Sequence, residues 1–183
     1  MPVLYAKGLI MTDTDYKSKF NRVLYAEALV GERPEVAHID LVMGPRGSCV
    51  ETAFVQALAS PQRGHIPLPA IIAPNLPAKP ATLMVNKVTM KRAKQALRMF
   101  GPAQHAVGMA VMDCVADGTI PKDLVDDLFI IVSVFIAWDA RDKENIHDWN
   151  YEAVKIAIKN AINGKPSVDE ILAKKDTAEH PFY

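Results

Sequence analysis

The chain has 183 residues, half of them hydrophobic and 23% charged, with 21 basic residues balancing 21 acidic ones. That length suits one domain able to bury a core, and the composition excludes a disordered chain. Zero formal charge argues against nucleic acid or an acidic membrane surface as partner, and no apolar run approaches the roughly 18 residues of a membrane span.

Residues 1–21 are weakly patterned and read as an N-terminal extension, leaving 22–183 as the domain. RVLYAEALVG is rich in β-formers and reads as a strand ending at Gly31. VAHIDLVM reads as a second strand, closed by Gly44-Pro45, and the two form an antiparallel hairpin. Alternate side chains of a strand point to opposite faces. Ala37, Ile39, Leu41 and Met43 therefore line one face, while His38 and Asp40 project together from the other.

Ser48 and Glu51 have capping-box spacing at the start of a helix with Ala53, Phe54, Ala57 and Leu58 as its apolar stripe. The following LPAIIAPNLPAKPATLMV holds Pro67, Pro69, Pro74, Pro77 and Pro80, a density that forbids helix and confines strand to pieces such as Ala70–Ala73. TLMVNKVTM reads as a strand in which Lys87 and Thr89 share one face with Val85. KRAKQALRMFG is a short amphipathic helix stopped at Gly101, and Pro102 opens the next one, with Gln104 and His105 in its first turn. DLFIIVSVFIAW is a continuous apolar run, expected as a central strand buried on both faces. The last long helix runs through ENIHDWNYEAVKIAIKNAING, capped by Gly164, and a polar tail ends in HPFY, whose aromatics are placed to dock on this subunit or another. The sum is an α+β single domain of four or five strands and three or four helices.

P-loop, GxGxxG, GxSxG and HExxH signatures are all absent. The five histidines are scattered and none stands at ligand spacing from another His or a Cys, which disfavours metal catalysis. Cys49 and Cys114 form no CxxC and no disulfide framework, pointing to a reducing cytoplasm. What remains is acid–base chemistry from His38, although on these residues alone a polar strand face meeting water is the simpler reading.

EALVG, EVAHIDLVMGPRGS, ETAF, IAPNLPAKPATLMVNKVT, RMFGPAQHAVGMAV and the closing HPF together resemble the formaldehyde-activating enzyme family, from about Tyr25 to Phe182. The resemblance implies a fold like ribosomal protein S5 domain 2, a mixed sheet packed with helices, in a cytoplasmic homopentamer with its sites at subunit interfaces. It implies a hydro-lyase of one-carbon metabolism, methylotrophy and formaldehyde detoxification. The reaction would condense formaldehyde with tetrahydromethanopterin, as co-substrate and without a metal, to the methylene derivative and water. His38 then matches the family's proton donor, and Asp40, Lys87, Thr89 and Gln104 match its pterin contacts. A further contact, a Leu in the family, is Pro69 here, which is shorter and lacks an N–H. Pro69 and the extension motivate one alternative of another class: a non-catalytic paralogue that binds or senses a pterin or a formaldehyde adduct.

Overall fold

The computed structural model describes residues 12–180, whose central feature is a five-stranded mixed sheet. β1 (Leu24–Val30) and β2 (Ala37–Pro45) form the expected antiparallel hairpin, in a register that sets Glu27 opposite Asp40 and Leu29 opposite His38. β2 pairs antiparallel with β7 (Leu128–Phe135), which pairs parallel with β6 (Ala81–Asn86), and β3 (Leu68–Pro69) closes the far edge, giving the order β1-β2-β7-β6-β3. The prolines keep β3 to an edge, where no second ladder is required of it. Between β3 and β6 the chain folds a small hairpin, β4 (Ile71–Ala73) with β5 (Leu76–Pro77), which turns through Asn75 at φ 67°.

Two helices cover one face of the sheet. α4 (Gln104–Ala116) carries Val107, Ala110, Val111 and Cys114 inward, and α5 (Lys143–Asn163) carries Ile146, Ala153, Val154, Ala157, Ile158 and Ile162. They pack on Ala37, Ile39, Leu41 and Met43 of β2 and on Ile130, Val132 and Val134 of β7, all fully buried. The inward face of β2 is thus the one read from its alternation. Gly164 ends α5 in the left-handed conformation, as a C-terminal glycine should. Residues 12–21 form α1 (Asp13–Ser18) and a 3₁₀ turn. The side chain of Phe20 enters this core, 2% exposed, and the Tyr16 hydroxyl donates to the Thr119 carbonyl at 2.7 Å.

Several expectations are corrected. β7 is central but is buried on one face only, alternating with half-buried Phe129, Ile131, Ser133 and Phe135, because both large helices lie on the same side. β6 ends at Asn86, so Lys87 and Thr89 lie on the segment leaving the strand. The Lys87 amide still donates to the Val134 carbonyl at 2.9 Å, and the chain turns away after it. The helix α3 (Ala93–Arg98) does not stop at Gly101: it runs through a π turn (Met99–Ala103), with Pro102 inside it, straight into α4.

α2 (Cys49–Ala59) forms where expected, but Ser48 accepts from the Val50 amide while Glu51 reaches back to the Gly47 amide, so no Ser48–Glu51 capping box forms. Its apolar stripe is only half-buried: Phe54, which packs edge-on to Phe129, and Ala57 are partly covered, while Ala53 and Leu58, the latter 47% exposed, face out. There are more helices than expected, six α-helices among the described residues, with α6 (Val168–Lys174) the last. Pro181, Phe182 and Tyr183 of the tail lie outside the described residues.

Candidate active site

The face of the sheet opposite α4 and α5 is open over β1 and β2, and the polar residues gather there. Strand alternation in β2 sends His38 and Asp40 to this side, and the hairpin register brings Glu27 of β1 beside them. The His38 Nε2 lies 2.9 Å from Glu27 Oε1 and 3.8 Å from Asp40 Oδ1. A carboxylate only accepts, so this geometry puts a proton on Nε2, between two acceptors. Lys87, where β6 ends, reaches across β7 to Asp40, Nζ to Oδ2 at 2.8 Å, and its side chain is only 15% exposed. One carboxylate thus touches both the imidazole and the ammonium group. Phe135 is the register partner of His38 and projects from the same face of the sheet.

Thr89 is held by a residue not assigned to the site from sequence. The His65 Nδ1 lies 3.2 Å from the Asn86 carbonyl, which fixes Nδ1 as donor, so Nε2 accepts from the Thr89 hydroxyl at 2.8 Å. The buried Asn86 closes the same turn, its Nδ2 donating to the carbonyls of Gly64 at 2.8 Å and Val88 at 2.5 Å. The Thr89 oxygen keeps its lone pairs for a donor outside the chain.

Gln104 and Pro69 form a second cluster. The Gln104 Nε2 donates to the Pro69 carbonyl at 2.7 Å, tying the start of α4 to the edge strand β3. The Pro69 ring is exposed on the open face, bordering a cavity of about 410 Å³ that Phe54, Pro77 and Phe129 also line. Three strand spacings separate Asp40 from Pro69, roughly 14 Å at about 4.8 Å each. Within one subunit, therefore, His38, Asp40 and Lys87 form one group, and Pro69 with Gln104 another.

Sequence reasoning missed Glu27 and the role of His65. Glu27 was legible in principle, since it sits at an outward position of β1 and any tight hairpin register puts it near His38 or Asp40. His65 lies in the short turn between α2 and the proline-rich segment, which carries no periodic signal. The histidines are also less scattered in space than in sequence: His105 Nδ1 meets His147 Nε2 at 3.0 Å between α4 and α5, with Asp148 at 2.9 Å from His147 Nδ1. No group of three or more His, Cys, Asp or Glu able to hold a metal ion occurs among the described residues.

An imidazole held by one carboxylate, a second carboxylate and a nearly buried lysine on an uncovered sheet face mark a small α+β protein with a candidate acid–base site. The chain belongs to the formaldehyde-activating enzyme family, whose model matches residues 25–183. It is 56% identical over 182 residues to the 5,6,7,8-tetrahydromethanopterin hydro-lyase of Methanosarcina barkeri, covering all of this chain and 99% of that one. It is also 52% identical over 156 residues to the bifunctional enzyme Fae/Hps of Methanosphaera stadtmanae, and 47% identical over 156 residues to that of Archaeoglobus fulgidus. The matches cover 85% of this chain but only 38% and 40% of those longer proteins. The M. barkeri match includes the segment before Tyr25, so the extension is shared with that relative.

Proposed function

We propose that this protein is a hydro-lyase that condenses formaldehyde with tetrahydromethanopterin, giving methylene-tetrahydromethanopterin and water. The observation that carries the reading is His38, a proton-bearing imidazole on the open face of a chain matched end to end by a tetrahydromethanopterin hydro-lyase. The same match disfavours the alternative of a non-catalytic pterin- or formaldehyde-sensing paralogue.

In the reaction the pterin N5 amine adds to formaldehyde and forms a carbinolamine. Hydroxide is a poor leaving group, so His38, as imidazolium, gives its Nε2 proton to the departing oxygen and water leaves. The pterin N10 amine then closes the ring on the iminium carbon and releases the proton that restores His38. Positioned general acid catalysis of this kind contributes about 10²–10⁴-fold. Glu27 orients the imidazole, Asp40 offers an acceptor to the pterin's N–H groups, and Lys87 holds Asp40 in place. Thr89 accepts from the ligand, and Gln104 and Pro69 supply a second contact group whose apolar part is smaller than the family's Leu.

Two groups about 14 Å apart on one open face, with exposed Val55 and Leu58 on α2, support a further part of the reading. A second copy completes the site, in a cytoplasmic homopentamer of subunits resembling ribosomal protein S5 domain 2. No helix among the described residues is long and apolar enough to cross a membrane. The reading carries no metal, and it places the protein in one-carbon metabolism and formaldehyde detoxification.

The test is condensation of formaldehyde with the reduced pterin, followed as methylene-pterin formation above the spontaneous rate. Wild type accelerates it, and His38→Ala lowers kcat by about 10²-fold or more. Equal rates with and without protein, or with and without His38, overturn the proposal.

A further inference from the structure

The segment KRAKQALR, read from sequence as an ordinary amphipathic helix, concentrates basic residues in a chain whose formal charge is zero. In space, Arg92, Lys94 and Arg98 line a cavity of about 620 Å³ together with Arg141, from the turn before α5, and the exposed Trp138. None of these four basic side chains makes an ion pair among the described residues. Asp139 is the only carboxylate lining the cavity among the described residues, so its wall is strongly positive. The Lys91 ammonium stands 5.6 Å above the Trp138 ring, adding another cation at the rim. Unpaired like charges around one concavity repel each other and raise the local concentration of anions. Arginine forks also suit phosphate and carboxylate oxygens.

A neighbouring cavity of about 280 Å³ shares Trp138 and Asp139 with the basic one and is also lined by Phe135 and Val88. Phe135 is the register partner of His38, and Val88 stands between Lys87 and Thr89. The register partner of His38 thus lines a cavity that shares Trp138 with the basic one. Resting on the proposed function, we infer that the basic cavity binds the anionic end of the substrate. Tetrahydromethanopterin carries a phosphodiester and a dicarboxylic acid on the arm remote from its pterin ring. With the ring at His38, that arm would follow Phe135 and Trp138 and set its anions against Arg92, Lys94, Arg98 and Arg141. Trp138 supplies a flat apolar surface for the uncharged part of the arm.

The experiment compares wild type with the double variant Arg98→Gln/Arg141→Gln on two substrates: the full pterin and a pterin cut back to remove the phosphodiester and dicarboxylate. Wild type has a KM about tenfold lower for the full substrate, an advantage that shrinks as ionic strength rises, since these charges are exposed and screened. The double variant no longer distinguishes the two substrates, at any salt concentration. A loss of packing alone would alter both substrates together and would not abolish the salt dependence. In parallel, the ribose phosphodiester of 2-hydroxyglutarate is titrated while Trp138 emission is followed. It shifts the emission of wild type and not that of the double variant.

If neither substrate is turned over, the proposed function has failed, and the titration alone decides the anion site. Equal KM values in wild type for the two substrates, or no emission change with the fragment, overturn the inference. Tighter binding of a single-stranded oligonucleotide than of the fragment also overturns it, and makes the cavity a nucleic-acid surface.

Discussion

At the scale of single residues, the site depends on how few acceptors and donors are left free. Asp40 holds Lys87 at 2.8 Å and stands 3.8 Å from the His38 Nε2, so Glu27, at 2.9 Å, is the group that orients the His38 ring, the proposed proton donor. Glu27→Gln keeps the shape and removes the charge. Both side chains are more than a third exposed, 35% for His38 and 47% for Glu27, so solvent screens the pair strongly. The expected loss is on the order of 1 kcal/mol, or about fivefold in kcat/KM by steady-state kinetics. An unchanged value would remove Glu27 from the site. Cys114 shows the opposite situation, a group with no part in the chemistry: burial, followed by the nearby Asp117 carboxylate, pushes its thiol up to about 11.

At the scale of elements, the hairpin and the long helix α5 are locked where Gly31 meets Trp149. Gly31 has φ of +85°, and a Cβ there would fall 2.1 Å from the Trp149 ring. Gly31→Ala therefore combines left-handed backbone strain with overpacking, each about 1–3 kcal/mol. We expect a loss of about 2–4 kcal/mol in chemical denaturation, with Trp149 displaced and the β1–β2 register disturbed. A loss under 1 kcal/mol would show that the ring moves aside freely. Gly108 serves a related purpose on α4, where a Cβ would lie 2.9 Å from the Ile71 carbonyl oxygen. That close approach brings the start of α4 to the proline-rich edge, and it allows Gln104 to reach the Pro69 carbonyl.

At the scale of the whole molecule, one face of the sheet is sealed by α4 and α5 and the other is partly bare. Tyr25 and Leu29 on β1, 63% and 47% exposed, and Val55 and Leu58 on α2 leave apolar surface beside the polar groups. Exposed patches of this kind mark contact surfaces. Val55→Lys with Leu58→Asp should leave the circular dichroism spectrum and stability of the subunit nearly unchanged, as surface substitutions do. It should lower the mass measured by light scattering from that of an oligomer to that of a single chain. The same mass in variant and wild type would move the contact surface away from α2. Loss of condensation in the dissociated variant would be the expected consequence of separating the two site groups.

Much of the fold was legible because local rules suffice for it. Alternation in AHIDLVM assigned the faces of β2, the β-formers assigned β1, and Gly164 marked the end of α5. The pairing of His38 with Asp40 followed from the same two-residue period, which holds for any strand. Long-range packing decided the rest. The apolar run of β7 could not reveal that both large helices lie on one side of the sheet, because an apolar run suits either one or two covered faces. Gly101 and Pro102 look like a helix stop, yet packing carries the chain through them in a π turn. Lys87 meets Asp40, and His65 holds Thr89, only because β6 lies parallel to β7 and the turn after α2 folds back onto the end of β6. By itself the sequence determined the β1–β2 hairpin, the inward face of β2 and the shared outward face of His38 and Asp40, since these rest on neighbours along the chain. Only the tertiary structure decided which charges touch, which face stays open and where the basic cavity lies, since those depend on residues tens of positions apart.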